Sequence, residues 1–120
     1  MDNPGNRNVP IPRGWRETVC RILRSNDSGL IITTAQSDRD WFATFPDAWN
    51  YHKFEALAST LDLDGICGRH IIDMEPPCDA YEFFFTFRGR KLIGKIGLLP
   101  NGQVIIIFSS HIPRKGESKL

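Results

Sequence analysis

The chain has 120 residues, with 15 lysines and arginines against 14 aspartates and glutamates, and a formal net charge of +1. This balance excludes a bulk basic field as the means of holding nucleic acid, so any such binding must depend on a local patch. A chain of this length buries about two-thirds of its unfolded surface, which is enough for one hydrophobic core. A single domain spanning residues 1–120 is therefore expected.

The three cysteines, at positions 20, 67 and 78, follow no apolar leader segment. An odd cysteine number without a leader predicts a reducing, cytoplasmic location rather than a disulfide framework. The longest apolar run is far shorter than the ~20 residues that a membrane helix requires. No membrane association is predicted.

The N-terminal half is predicted to be mainly helical. Residues 1–12, rich in Asn, Pro and Gly, are expected to form a flexible arm. A first helix is predicted from Arg13 to about Ser25, because apolar residues recur there at helical spacing. A short strand is expected from Leu30 to Thr34.

The next segment is predicted to hold a second helix. Residues 37–40 (Ser-Asp-Arg-Asp) offer a helix cap, and Pro46 suits the first turn of a helix that runs to about Leu61. Residues 61–77 have some helical spacing and are interpreted as a short helix. Gly65 and Gly68 count against this interpretation, because each glycine costs roughly 1 kcal/mol in a helix interior.

From Tyr81 the apolar period changes to two, which predicts three strands. They run from Tyr81 to Phe87, from Arg90 to Leu99 and from Gln103 to His111. The Asn-Gly pair at 101–102 is a strong hairpin signal between the last two. Helices followed by an antiparallel meander predict an α+β fold with the helices on one sheet face. Residues 112–120 are expected to fray.

The hairpin register sorts the strand residues into two faces. A two-residue Asn-Gly loop places Ile96 opposite Ile107 and Lys95 opposite Phe108. One face is then predicted to form the core, with Ser109 and His111 at its end; its apolar members are Tyr81, Phe83, Phe85, Phe87, Leu92, Ile96, Leu98, Ile105 and Ile107.

The opposite face mixes cations with aromatic and aliphatic side chains. Such a face is typical of surfaces on which rings stack on bases and cations contact phosphates, although a protein partner would also explain it. Its predicted members are Glu82, Phe84, Thr86, Arg88, Lys91, Ile93, Lys95, Val104, Ile106, Phe108 and Ser110.

Simpler interpretations exist for single residues on this face. Lys95 falls beside Glu82 across the strands, where an exposed ion pair contributes ~0.2–1 kcal/mol. Strict alternation places His111 on the face away from Lys95. Either a β-bulge at Ser109-Ser110 turns His111 toward Lys95, or His111 is not catalytic; bulges are frequent beside active sites.

The spacing Cys67-x-x-His70, with Cys78 further along, hints at zinc. It lacks the second close ligand pair of a structural zinc site, so inert cysteine is the favoured interpretation. No metal or other cofactor is predicted.

Two motifs in the C-terminal half resemble those of a known family. The stretch LDLDGIC at 61–67, then Ile71-Ile72 and DAY at 79–81, resembles the helix-to-sheet entry of the MqsR-like toxins. The stretch FRGRKLIGKIGLLPNGQVIIIFSSH at 87–111 resembles the G-R-x-x-x-x-K strand and the closing strand of these and other RelE-related ribonucleases. The resemblance covers residues 61–111, about half of the chain, and implies the fold shared with barnase and the colicin-type ribonucleases.

The resemblance implies a metal-free endoribonuclease that cuts mRNA and is neutralised by a cognate antitoxin. The family's strand lysine falls on Lys95, and its terminal positions fall on Ser110 or Ser109 and on His111. His111 is the expected general acid or base, and Lys95 is expected to stabilise the phosphorane.

The resemblance and the mixed face together predict the RNA contacts. Arg90 is expected to assist the catalytic lysine, and Arg88 and Lys91 are expected to hold phosphates. Phe84 or Phe108 is expected to stack on a base. The alternative function is a non-enzymatic binding module, such as an immunity or antitoxin-like protein or an adaptor, that uses the same face to hold a protein.

Overall fold

A computed structural model describes residues 8–114 of the chain. Within this range the chain forms three helices and six strands. In chain order these are β1 (Asn8–Pro10), α1 (Arg13–Ser25), β2 (Ile31–Thr33), α2 (Ala35–Thr44), α3 (Asn50–Leu61), β3 (Cys67–Ile71), β4 (Asp79–Phe87), β5 (Arg90–Leu98) and β6 (Ile105–His111).

The strands form one sheet in the order β1-β3-β4-β5-β6-β2. Every neighbouring pair is antiparallel except β2 and β6, which are parallel. The predicted α+β class and the predicted meander β4-β5-β6 are confirmed. The sheet is larger than the meander, because β3 and β1 extend it on one side and β2 on the other.

The helices and one face of the sheet share a single core. Trp15 of α1 donates from Nε1 to the carbonyl oxygen of Asp79 at 2.9 Å, and its ring packs edge-on against Tyr81. Burying each large apolar side chain contributes ~1.5–3 kcal/mol. The predicted core face is confirmed for the members that are at most 6% exposed, namely Tyr81, Phe83, Phe85, Leu92, Ile96, Ile105 and Ile107.

The predicted short helix in residues 61–77 is wrong, because this segment contains strand β3. Pairing with two neighbours decides its conformation: Arg69 lies opposite Glu82 on β4, and β1 pairs along the other edge. Gly68 permits this close pairing, since a Cβ there would lie 2.6 Å from the carbonyl oxygen of Glu82. Tertiary pairing therefore overrides the weak helical spacing.

The predicted helix from Pro46 to Leu61 ends correctly but begins too early. The chain forms a separate α2, whose N-cap Thr34 accepts a hydrogen bond on its side chain from the backbone N–H of Ser37. Ser37 therefore lies inside a helix rather than capping one. After α2 the buried side chains of Phe45 and Ala48 anchor an irregular link to α3.

The flexible arm predicted for residues 1–12 is wrong for its second half. Residues 8–10 form β1, and the side chain of Ile11 is only 3% exposed. Apolar side chains at Val9 and Ile11 explain this, because they join the core beside β3. Residues 1–7, and residues 115–120 of the predicted frayed tail, lie outside the described residues. Between residues 8 and 114 no helix is long and apolar enough to cross a membrane.

Candidate functional site

The candidate site lies on the face of the sheet that points away from the shared core. We call it the Lys95 face. It includes Arg69, Glu82, Phe84, Lys91, Ile93, Lys95, Phe108, Ser109 and His111. Strand alternation and the observed register place them there.

A row of polar side chains crosses this face on four strands. Arg69 lies opposite Glu82, Glu82 opposite Lys95, and Lys95 opposite Ser109. Side chains directly opposite one another have Cβ atoms about 5 Å apart, so each of these four groups is a close neighbour of the next. We call them the polar row.

The charges of the polar row are paired unevenly. The Arg69 guanidinium forms an ion pair with the Glu82 carboxylate, which is almost fully buried. Lys95, which is half-buried, makes no ion pair within residues 8–114, so the expected Lys95–Glu82 pair does not form. A cation without a fixed partner beside a buried ion pair is suited to an anionic ligand.

A β-bulge in β6 determines which C-terminal residues share this face. Ile96 lies opposite Ile107 as predicted, but Lys95 lies opposite Ser109, which leaves Phe108 as the extra residue. The predicted Lys95–Phe108 pairing is therefore wrong. The bulge reverses the parity of every later residue, because the side-chain period of a strand is two.

The bulge exchanges the predicted positions of Ser110 and His111. Ser110 is fully buried on the core side, where its Oγ lies 2.7 Å from Ser37 Oγ. Its predicted place beside Lys95 is therefore wrong. His111 lies opposite Ile93 and so belongs to the Lys95 face. A bulge at Phe108, one residue before the expected Ser109-Ser110, places the histidine on the same face as the lysine.

His111 is held tightly at the end of β6 and is only 7% exposed. Arg114 lies 3.2 Å from its Nε2, and a guanidinium can only donate, so Nε2 accepts. A neutral ring then carries its proton on Nδ1, which lies 4.0 Å from the Asp40 carboxylate. Arg114 also reaches Asp40 at 3.2 Å. To exchange a proton with a substrate through Nε2, His111 must exchange its Arg114 contact for the substrate.

The predicted RNA-binding residues divide into two groups. Lys91 lies on the Lys95 face with its ammonium 3.8 Å from the centre of the Phe84 ring. The Phe108 ring also lies on this face, beside Gly97. Both rings are partly exposed, which leaves surface for a stacked base.

The two arginines of the β4–β5 turn lie at the edge toward α3 instead. Arg88 donates to Asp47 at 2.8 Å and covers the Phe87 ring, with 4.9 Å between guanidinium and ring centre. Its hydrogen bond holds the pKa of the Asp47 carboxyl below its ordinary value. Arg90 is exposed and lies opposite Phe87 in the register. The structure therefore does not bring Arg88 and Arg90 into the polar row.

Sequence reasoning missed Arg69 as a site residue and treated Glu82 only as a pairing partner. A helix in residues 61–77 would not pair with the strands of the meander, so the predicted helix gives Arg69 no position in the sheet. A signal for Arg69 does exist in the sequence. If residues 67–71 form a strand, the alternation of side chains places Cys67, Arg69 and Ile71 on one face of the sheet.

The hinted zinc ligands do not converge. Cys67 donates to the Gly65 carbonyl oxygen, while His70 lies on the other face of β3. His70 Nε2 is 2.9 Å from Asp79 Oδ1, and its ring stacks on Tyr81. In the part of the chain that the structure describes, no three His, Cys, Asp or Glu side chains are placed to hold a metal ion.

No protein-family model matches the chain, and no curated protein or solved structure shows significant similarity to it. The geometry of the chain's own residues is therefore the basis for assigning a function.

Proposed function

We propose that this protein is a metal-free endoribonuclease of the toxin–antitoxin type, which cleaves mRNA at the polar row. The observation that carries the proposal is the position of Lys95. It lies between Glu82 and Ser109 on the face that points away from the shared core, it is half-buried, and it has no ion pair within residues 8–114. The resemblance of residues 61–111 to RelE-related and MqsR-like toxins supports the same function. We include in the proposal what this resemblance implies: a barnase-like fold, a cytoplasmic location and an antitoxin partner.

The polar row supplies the groups that cleavage of an RNA strand requires. A base removes the proton of the 2′-hydroxyl, the 2′-oxygen attacks the adjacent phosphorus, and the bond to the 5′-oxygen breaks. We assign the base to Glu82, the only carboxylate of the row. An acid must protonate the departing 5′-oxygen, and His111 on the same face is our candidate, provided that its Nε2 releases Arg114 and takes up a proton first. The products are a 2′,3′-cyclic phosphate and a 5′-hydroxyl.

The cations of the row stabilise the charge that develops during the reaction. The phosphorane carries one more negative charge than the substrate phosphate, and Lys95 and Arg69 are the nearest cations on the face. Removing one preorganised donor of this kind costs about 10²–10³-fold in kcat. Ser109 faces Lys95 and offers a hydroxyl to a phosphate oxygen. Phe84 and Phe108 provide rings on which the flanking bases stack.

The proposal is tested by incubating the purified protein with a long single-stranded RNA in EDTA. We expect cleavage by the wild type, and we expect Lys95→Ala to lower kcat by about 10²–10³-fold with unchanged stability. Glu82→Gln tests the base. Arg21→Ala is the control, because it removes one exposed cation from α1 on the helical side. If the wild type leaves RNA intact, or Lys95→Ala cleaves as fast as the wild type, the proposal fails.

A second candidate function is a non-enzymatic module that binds a protein. The observation in its favour is the exposure of large apolar side chains, among them Trp49 at 69%, Ile72 at 62% and Leu63 at 58%. Expression in bacteria separates the two functions. A toxin arrests growth and Lys95→Ala restores it, whereas a binding module leaves growth unchanged.

A further inference from the structure

A groove separates the exposed side of α3 from the end of β4, outside the polar row. Its volume is about 560 Å³, within the range of pockets that hold small organic ligands. Tyr51 and His52 border it on α3, and Thr86, Phe87 and Arg88 border it on β4 and the following turn. We call it the Tyr51 groove.

One wall of the Tyr51 groove is a set of aromatic rings. The rings of Tyr51 and His52 lie with their centres 4.1 Å apart and their planes at 35°, and Phe87 lies 6.2 Å beyond His52. The His52 ring is fixed, because its Nδ1 accepts a hydrogen bond from the backbone N–H of Trp49 at 3.0 Å. Tyr51 is 52% exposed, so one face of its ring is open to a planar ligand.

The groove is bordered by a basic turn and by one exposed carboxylate. Arg88 lines the groove, and Arg90 and Lys91 follow within three residues, all three exposed. The Glu55 carboxylate, an exposed part of the lining, accepts a hydrogen bond from Ser59 Oγ at 3.3 Å, lies 3.7 Å from the Arg24 guanidinium and keeps further acceptor capacity. A ligand with an anionic group, a flat ring and amino donors matches this arrangement.

The groove is continuous with the Lys95 face. Thr86 lines the groove and lies directly opposite Lys91 in the register. Lys91 precedes Lys95 by four residues on β5, about 13 Å along an extended strand. The basic turn thus joins the two sites around the end of the sheet.

From this geometry we infer that the Tyr51 groove is a second nucleotide subsite, in which a base of single-stranded RNA that lies beyond the two nucleotides flanking the scissile phosphate stacks on Tyr51. The inference rests on the proposed endoribonuclease function for the identity of the strand. Arg88 contacts the phosphate that enters the groove, and Glu55 accepts from amino groups of the base. The subsite adds affinity for long RNA and takes no part in bond cleavage.

Two measurements test the inference. The first is binding of a short single-stranded RNA with 2′-O-methyl at every sugar, which cannot be cleaved because it has no free 2′-hydroxyl. Tyr51→Ala is expected to weaken this binding about tenfold, the effect of losing one stacked base. The second is kinetics: Tyr51→Ala raises the KM of long RNA about tenfold without lowering kcat, and it leaves cleavage of a dinucleotide unchanged.

Two variants serve as controls. Tyr51→Phe keeps the ring and is expected to bind like the wild type, while Phe42→Ala removes an exposed ring of α2 that does not line the groove. If Tyr51→Ala binds the probe as tightly as the wild type, the inference is overturned, whether or not the protein cleaves RNA. If the wild type cleaves nothing but Tyr51→Ala still loses probe binding, the groove inference stands and the proposed activity fails.

Discussion

The most unusual single residue outside the candidate site is Lys53 of α3, whose side chain is completely buried. Its ammonium lies 3.4 Å from Asp38 Oδ1 on α2 and 5.7 Å from the centre of the Trp41 ring. Burial lowers the pKa of Lys53, and the nearby Asp38 carboxylate opposes this lowering. Thr33 donates to the other Asp38 oxygen at 2.9 Å. The pair therefore joins α2 to α3 at a desolvation cost.

The lowered pKa of Lys53 predicts a specific pH dependence of stability. Below the lowered pKa both the folded and the unfolded chain carry the ammonium, and the burial cost is complete. As the pH rises toward the ordinary value of 10.5, the unfolded chain binds more protons than the folded chain, so stability increases. We expect the free energy of unfolding of the wild type to rise relative to that of Lys53→Met over this range.

Urea unfolding at a series of pH values measures the difference in free energy of unfolding between the two proteins. Titrating groups that both proteins share contribute equally to the two values, so their effects cancel in the difference. Lys91→Met is the control, since it removes an exposed lysine instead of a buried one. A difference between wild type and Lys53→Met that stays constant up to pH 10.5 would contradict the argument.

At the level of elements, the β6 bulge places the histidine, and the packing around Gly97 supports the bulge. A Cβ at Gly97 would overlap Cys78 Sγ and would lie 3.0 Å from Cε2 of Phe108, the bulged residue. Phe108 therefore packs against backbone where a side chain would displace it. The positions of Ser109 and His111 depend on this contact.

We predict that Gly97→Ala destabilises the protein by ~1–3 kcal/mol, the usual cost of overpacking. Gly14→Ala is the matched control, because a Cβ at Gly14 meets nothing within 4 Å and alanine is favoured in a helix. It should leave stability unchanged or raise it by up to ~1 kcal/mol. Chemical denaturation compares the two variants, and equal stabilities would show that Gly97 is not required for this packing.

At the level of the whole molecule, the charge is nearly balanced and the cations relevant to RNA are local. The formal net charge is +1, so long-range attraction contributes little. The proposed RNA path contains Lys95, Lys91, Arg88 and Arg90. Each phosphate contact releases counterions from a single strand and contributes about 0.7 to the salt slope.

We therefore expect the dissociation constant of the non-cleavable RNA to rise with salt with a log–log slope of about 3. Fluorescence anisotropy across a salt series measures the slope. Lys91→Ala should lower the slope by about 0.7, the contribution of one phosphate contact. Arg21→Ala on the helical side should leave the slope unchanged. A slope near zero would mean that phosphates are not bound along this path.

Local patterns determined much of the fold. Helix α1 begins and ends at the predicted residues, because apolar spacing from Trp15 to Leu23 and the Asn26 stop are properties of the segment itself. The same holds for the meander, where alternation and the Asn-Gly turn set the register from Leu98 back to Ile96. The two faces of β4 and β5, and with them the position of Lys91 and Lys95 on one face, follow from a period of two.

Only the tertiary structure decided the composition of the site. Strand β3 exists because β4 and β1 pair with it, so Arg69 joins the polar row through contacts that its own segment does not encode. The bulged residue Phe108 packs beside Gly97, and this single extra residue moves Ser110 into the core and His111 onto the Lys95 face. The physical reason is that long-range strand pairing and the bulge decide on which face of the sheet a side chain lies. A sequence pattern shows only that successive side chains alternate between the two faces.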